Sequence, residues 1–99
     1  LKKNNKTVYA ALGVSENKDY FSFADSLCDI SAYICCVDGF SDNCVPAENV
    51  CGYICGKCKT DYMNYSDGIK KVIALAKKND GVAVICGSLY LVSAYLNNF

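Results

Sequence analysis

Apolar residues occur along this chain in short unbroken runs, and the segments between the runs have helical spacing. The runs at residues 7–12, 33–37 and 82–86 contain almost no charge and are rich in β-branched and aromatic residues. Runs of this length and composition predict strands that are buried on both faces of a sheet. Residues 57–60 predict one further strand, which is very short.

Between these runs, apolar residues recur every three or four positions, as is typical of amphipathic helices. A first helix is predicted from Lys18, a second between Pro46 and Gly56, a third over residues 65–78, and a fourth after Ser88. Proline in a first turn, glycine after a last turn and serine before a helix are the usual residues at these boundaries.

Strands that alternate with helices predict an α/β fold. We expect a mostly parallel sheet of about four strands with helices on both faces, and one domain over residues 1–99. The composition agrees, because 53% of the residues are apolar and 20% are charged, which excludes a disordered chain.

The charge balance argues against nucleic-acid and membrane partners. Ten basic and ten acidic residues give a formal net charge of zero, so no excess positive charge would attract phosphates or anionic lipids. No apolar stretch reaches the ~20 residues of a membrane-spanning helix, and the first residues do not have the pattern of a signal peptide. We therefore expect a cytoplasmic protein.

Eight cysteines allow two interpretations. In a secreted chain they would predict a disulfide framework. Here Cys35 and Cys36 are adjacent in a predicted strand, Cys51 and Cys55 share the apolar face of a predicted helix, and Cys86 ends a buried run. These positions favour reduced cysteines that fill the core as small apolar side chains.

A metal site is the sharper alternative, because Cys51, Cys55 and Cys58 are closely spaced and Cys44 would be a fourth ligand. Structural zinc sites usually combine two separate pairs of ligands. This chain has one irregular cluster and no histidine, so a metal- or protein-binding cysteine module is the less favoured interpretation, and we expect no metal ligand.

The turn at Gly87 and Ser88 is the strongest candidate for a ligand site. Gly87 interrupts an apolar strand, and Ser88 is a good N-cap for the helix that follows. In a parallel sheet such a turn lies at the carboxyl edge, where backbone N–H groups and the positive end of the helix attract anions.

Three sequence motifs resemble one protein family. They are Gly-Val-Ser-Glu-Asn-Lys-Asp at residues 13–19, Pro-Ala-Glu at 46–48 and Gly-Ser-Leu-Tyr-Leu-Val at 87–92. Their order and spacing resemble the C-terminal domain of folylpolyglutamate synthase, which is often bifunctional with dihydrofolate synthase, in the Mur ligase superfamily. The resemblance covers nearly the whole chain, and the last motif favours the folate branch over other Mur-type amino-acid ligases.

The resemblance implies ATP-dependent addition of glutamate to the γ-carboxyl group of a folate. In the family, ATP and Mg²⁺ are held by a P-loop domain that precedes a Rossmann-like C-terminal domain, and the latter closes over the nucleotide and contacts glutamate. This chain has neither a P-loop nor the family's Asp-Gly-Ala-His-Asn-Pro segment with its first strand. We therefore expect a part of a larger ligase, with no catalytic residue and no cofactor bound by this part alone.

The resemblance also assigns glutamate-binding residues. Lys18 matches a lysine that pairs with a carboxylate of the incoming amino acid in related ligases, and Ser88 is placed to hydrogen-bond the same group. Asp19 and Gly87 would support them. From the residues alone, Lys18 is equally well an ordinary exposed lysine, Ser88 a plain N-cap, and Asp19 a first-turn residue that favours the helix dipole. Because both loops follow parallel strands, we expect Lys18 and Ser88 to lie side by side.

Overall fold

The computed structural model describes residues 6–16 and 19–98. Four strands alternate with four helices along the chain, in the order β1 (Val8–Leu12), α1 (Phe21–Ile30), β2 (Tyr33–Asp38), α2 (Ala47–Ile54), β3 (Lys59–Asn64), α3 (Tyr65–Lys78), β4 (Val82–Cys86) and α4 (Leu89–Asn98). The predicted alternation is therefore confirmed.

The four strands form one sheet in the order β3-β2-β1-β4, and every neighbouring pair is parallel. β1 is central, and its residue Ala10 is in register with Ile34 of β2 and Val84 of β4. The α/β fold with a four-stranded parallel sheet, as predicted from the sequence, is confirmed.

Helices cover both faces of the sheet. Leu12, Ile34 and Cys36 pack with buried residues of α1 and α2 on one face. Cys35 and Val37 pack on the other face with Ile69 and Val72 of α3 and Leu91 of α4; that cluster consists of Ala11, Tyr33, Cys35, Val37, Ile69, Val72 and Leu91. The adjacent cysteines of β2 thus face opposite layers, as predicted.

Both edge strands differ from the sequence predictions. The residues of β4 are only partly buried, so the prediction of a strand buried on both faces is wrong. Among the described strands, β4 is at an edge of the sheet and pairs only with β1. β3 is longer than predicted and starts at Lys59 rather than at residue 57. It is polar and largely exposed, and its Thr60 hydroxyl donates a 2.8 Å hydrogen bond to the Ile34 carbonyl oxygen of β2.

Carboxylates from outside the helices accept N–H groups at the starts of α1 and α2. Asp19 accepts a hydrogen bond from the Phe21 N–H at 3.0 Å, so α1 begins at Phe21 and not at Lys18. The Asp38 carboxylate accepts the Ala47 N–H at 2.8 Å and so caps α2 immediately after Pro46. Within the described parts of the chain, no helix has both the length and the apolar character needed to cross a membrane.

The end of α2 corrects one cysteine prediction. α2 ends at Ile54, and Cys55 lies beyond it and is exposed. The expectation that Cys55 packs on the apolar face is therefore wrong. α2 ends one residue before Cys55, so Cys55 has no place on the helix. The next residue, Gly56, has a positive φ of 92°, a conformation that favours glycine.

Candidate functional site

The sheet changes direction between β1 and β4. From β1 the chain moves outward through β2 to β3, and α3 then returns it across the sheet to β4 on the far side of β1. The loop after β1 leads to α1 on one face, and the turn after β4 leads to α4 on the other. A crevice between such diverging loops is where open parallel α/β sheets bind ligands.

Two serines meet where these loops come into contact, at a position that we call the crevice. The Oγ atoms of Ser15 and Ser88 are 2.8 Å apart and share a hydrogen bond, although the residues are 73 positions apart in sequence. Ser88 is 2% exposed, whereas Ser15 is partly exposed. Sequence analysis missed Ser15, and the available signal was its position two residues after Gly13 in the loop that follows the neighbouring strand.

Ser88 is the N-cap of α4, as predicted. Its Oγ atom accepts a hydrogen bond from the Tyr90 N–H at 3.1 Å, and its carbonyl oxygen accepts bonds from the N–H groups of Leu91 and Val92. The hydroxyl group therefore bonds both to the start of α4 and to Ser15. It orients the first turn of the helix and the neighbouring loop, and the more accessible hydroxyl of the pair belongs to Ser15.

Gly13 and Gly87 let the two loops touch through their backbones. The Gly13 N–H donates a 3.1 Å hydrogen bond to the Cys86 carbonyl oxygen. Gly87 has a φ of 110°, and a Cβ atom there would overlap the Gly13 carbonyl oxygen. The supporting role predicted for Gly87 is thus structural, since only glycine fits both the conformation and the space.

The loop before α2 supports the crevice from its other side. The Val45 N–H donates to the Val14 carbonyl oxygen at 2.8 Å, and the Glu16 N–H donates to the Asn43 carbonyl oxygen at 2.6 Å. Ser15 therefore lies on a short segment that is held by β4 on one side and by residues 43–45 on the other. Backbone bonds therefore hold this segment in addition to the Ser15–Ser88 hydrogen bond.

Lys18 lies outside the described residues, so its predicted position beside Ser88 stays a prediction. All ten basic residues of the chain are lysines, and Lys18 is the only one between residues 7 and 56. It is also the only basic residue that the sequence places in a loop after a strand. Asp19 is described and lies before α1, where its carboxylate accepts the Phe21 N–H. The first turn of α1 contains no acidic residue, so the alternative that Asp19 is a first-turn residue is wrong.

The described side chains around the crevice carry negative rather than positive charge. Glu16 and Asp42 are exposed in the two loops, and Asp38 is occupied in capping α2. Among the described groups, an anion at this position would therefore depend on the N-terminal end of α4 and on the Ser15 hydroxyl. The glutamate-binding role of Lys18 stays a prediction.

The cysteines do not form the metal cluster considered from the sequence. Cys44 lies at the carboxyl edge, where its Sγ atom donates to the Ser41 carbonyl oxygen at 3.3 Å. Cys55 and Cys58 lie beyond the other end of α2, which is ~12 Å long. Among the residues described, no three cysteine, aspartate or glutamate side chains come together in a way that could hold a metal ion.

All eight cysteines lie within the described residues and are free thiols. Burial raises the pKa of Cys36 and of Cys86 to about 12, and it raises the pKa of Cys35 to about 11. A thiol that stays protonated at neutral pH is a poor nucleophile. These three cysteines therefore act as core side chains.

Comparison with known proteins gave no match among protein-family models, curated proteins or solved structures. The function has to be argued from the three sequence motifs and from the place that the fold gives them.

Proposed function

We propose that this chain is the glutamate-contacting, closing domain of an ATP-dependent folylpolyglutamate synthase. One observation carries the proposal. The motif at residues 87–92 lies at the start of α4, and the described part of the motif at 13–19 contacts it through the Ser15–Ser88 bond. The third motif, Pro-Ala-Glu at 46–48, lies at the start of α2, directly after the loop that pairs with Val14. Segments whose contacting residues are 73 positions apart thus meet at one edge of the sheet.

The proposed reaction divides its work between two domains. ATP phosphorylates the γ-carboxyl group of a folate, the glutamate amine attacks the acyl phosphate, and ADP and phosphate leave. A P-loop domain preceding this chain would hold ATP and Mg²⁺ in the cytoplasmic enzyme. This chain would hold glutamate so that its amine is aligned for attack, which is a positioning role rather than a chemical one.

The crevice has the donors that a carboxylate needs. The positive end of α4 and the Ser15 hydroxyl supply a helix dipole and a hydrogen bond, and Lys18 supplies the charge. Because the Ser88 hydroxyl is buried and engaged, Ser88 acts on glutamate through the α4 N-terminus and Ser15 that it orients. The acidic Glu16 and Asp42 nearby make an uncompensated anion unfavourable, so loss of the lysine is expected to weaken glutamate binding strongly.

Steady-state kinetics of the complete enzyme test the proposal, with glutamate and ATP varied separately. Lys18→Ala removes a charge-assisted hydrogen bond worth ~1.5–3 kcal/mol, so the Michaelis constant for glutamate should rise about tenfold to hundredfold while that for ATP stays unchanged. Ser88→Ala should act in the same direction but more weakly, because the backbone donors remain.

Lys78→Ala is the matched control, since Lys78 is an exposed lysine in the last turn of α3, at the opposite end of the sheet. An unchanged Michaelis constant for glutamate in Lys18→Ala would show that the crevice does not bind this substrate. Transfer of an amino acid to a peptidoglycan precursor, with no transfer to folate, would instead assign the chain to the Mur-type ligases.

A further inference from the structure

Two cysteines from separate elements are in contact at the amino edge of the sheet. The Sγ atoms of Cys28, in the last turn of α1, and Cys58, directly before β3, are 3.6 Å apart. Both side chains are partly buried. The pair lies at the opposite end of the strands from the Ser15–Ser88 crevice, so it belongs to no part of the proposed glutamate site.

A polar cluster beside the cysteines holds their two elements together. Asp25 precedes Cys28 by one helical turn, and Lys57 directly precedes Cys58. The Lys57 Nζ atom donates to the Asp25 carboxylate at 2.7 Å, and the Tyr53 hydroxyl donates to the same carboxylate at 3.1 Å. The ammonium group of Lys57 also lies 4.0 Å from the centroid of the Tyr53 ring.

The turn that carries Cys58 is fixed by its backbone as well. The Lys57 N–H donates to the Ile54 carbonyl oxygen at 2.9 Å, and Gly56 has the positive φ that the turn requires. Cys58 is thus held against Cys28 by bonds from both sides. Two sulfur atoms at this separation need only a small movement to reach the ~2.05 Å of a disulfide bond.

We propose that Cys28 and Cys58 form a thiol–disulfide switch that exchanges with low-molecular-weight disulfides such as glutathione disulfide. One thiolate of the pair attacks the small disulfide, which gives a mixed disulfide and releases one small thiolate. The second thiolate attacks the protein sulfur of the mixed disulfide, closes the Cys28–Cys58 bond and releases the other small thiolate. The protein loses two protons and two electrons, and the small disulfide is reduced to two thiols.

Closing this bond would constrain the chain from the end of α1 to the start of β3. The intervening segment contains all of β2 and α2. A disulfide across a loop of this length stabilises mainly by restricting the unfolded chain, and the unfolding temperature should rise by roughly 15–30 °C. Burial, together with a hydrogen bond to Cys28, raises the pKa of Cys58 to about 12, so exchange at neutral pH should be slow.

The experiment equilibrates the reduced protein with mixtures of oxidised and reduced glutathione, quenches it with acid, and alkylates the remaining thiols in denaturant. We expect a mass loss of two hydrogen atoms with six of the eight thiols alkylated, and a Cys28–Cys58 linkage in the peptide map. Dithiothreitol should reverse the change. Cys28→Ser and Cys58→Ser should each abolish it.

Cys55→Ser is the matched control, because Cys55 is exposed and shares the Cys-Gly-Lys-Cys sequence with Cys58. This variant should still form the bond. A Cys55–Cys58 linkage, a stable glutathione adduct as the end product, or eight free thiols after incubation with excess glutathione disulfide would each overturn the proposal.

Asp25 is a positioning residue for this reaction. Asp25→Asn removes the charge that holds Lys57, so bond closure should slow severalfold, whereas Asp42→Asn, an exposed change in the loop before α2, should leave the rate unchanged. Equal rates in the two variants would show that the polar cluster does not hold the cysteines in place.

Discussion

The hydrogen bond between Ser15 and Ser88 makes a measurable contribution to stability. In Ser88→Ala, α4 loses its N-cap, which costs about 1 kcal/mol, and the bond to Ser15 is lost, which costs about 1 kcal/mol more. Because Ser88 is 2% exposed, water does not readily replace its hydroxyl. For a domain of this size, a total of about 2 kcal/mol lowers the unfolding temperature by roughly 8–16 °C.

A double-mutant cycle separates the two contributions. Ser15→Ala should cost about 1 kcal/mol, since it removes the bond but leaves the cap. The double variant should be no less stable than Ser88→Ala alone, which corresponds to a coupling energy of about 1 kcal/mol between the two positions.

Urea denaturation followed by circular dichroism, with a reducing agent present, provides the free energies of unfolding. Ser93→Ala, an exposed change on α4, is the control and should stay within about 0.5 kcal/mol of the native chain. Costs that simply add in the double variant would show that the two hydroxyl groups do not interact. A Ser88→Ala cost close to zero would refute the assignment of Ser88 as the N-cap.

Three further predictions concern other parts of the fold. Gly87→Ala should destabilise the chain by about 2 kcal/mol or more, because residue 87 has a positive φ and a Cβ atom there would overlap Gly13. In the same urea assay, Gly52→Ala should stabilise α2 by about 0.5–1 kcal/mol, because a Cβ atom at residue 52 meets nothing. Equal effects of the two variants would contradict the geometry of the turn at Gly87. Hydrogen bonds from Lys71 and Tyr33 lower the pKa of Asp61 below its ordinary 3.8, so the contribution of Asp61 to stability is present above pH 3.8 and is lost as the pH falls through the depressed pKa. In urea titrations between about pH 6 and pH 2, Asp61→Asn should therefore lose less unfolding free energy on acidification than the native chain does. An equal loss in the variant and the native chain would contradict this contribution. Alkylation of the native protein, followed by mass spectrometry, should modify the exposed Cys55 first and Cys36 and Cys86 last. In denaturant, all eight thiols should react. Early modification of Cys36 would contradict its burial.

The sequence pattern was sufficient for the architecture because its strongest signals lie in the central strands. The apolar runs of β1 and β2 have neighbours on both sides, and both are buried as predicted. The pattern failed at the sheet edges. In β3, the Thr60 hydroxyl donates a hydrogen bond to β2, and the Asp61 carboxylate accepts hydrogen bonds from Tyr33 of β2 and Lys71 of α3. Such polar contacts produce no periodic pattern of apolar residues in the sequence.

Of the two serines at the candidate site, the sequence predicted Ser88 and not Ser15. Ser88 has a local signal, since a serine between a strand and a helix predicts an N-cap. Ser15 has only its position two residues after Gly13, because its importance depends on β4 pairing with β1 rather than with β3. The strand order decides which loops meet, and in this chain that order follows from packing across the whole sheet.

The pairing of β1 with β4 also connects the site to the completion of folding. It joins Val8 to Val82, so forming it closes a far longer loop than the pairing of β1 with β2 does, and closure of long loops carries the larger entropic cost. A partly folded chain of β1, β2 and β3 would lack the crevice altogether. A ligand of this crevice would therefore bind only the completed fold, and its binding free energy would add to the stability of the whole domain.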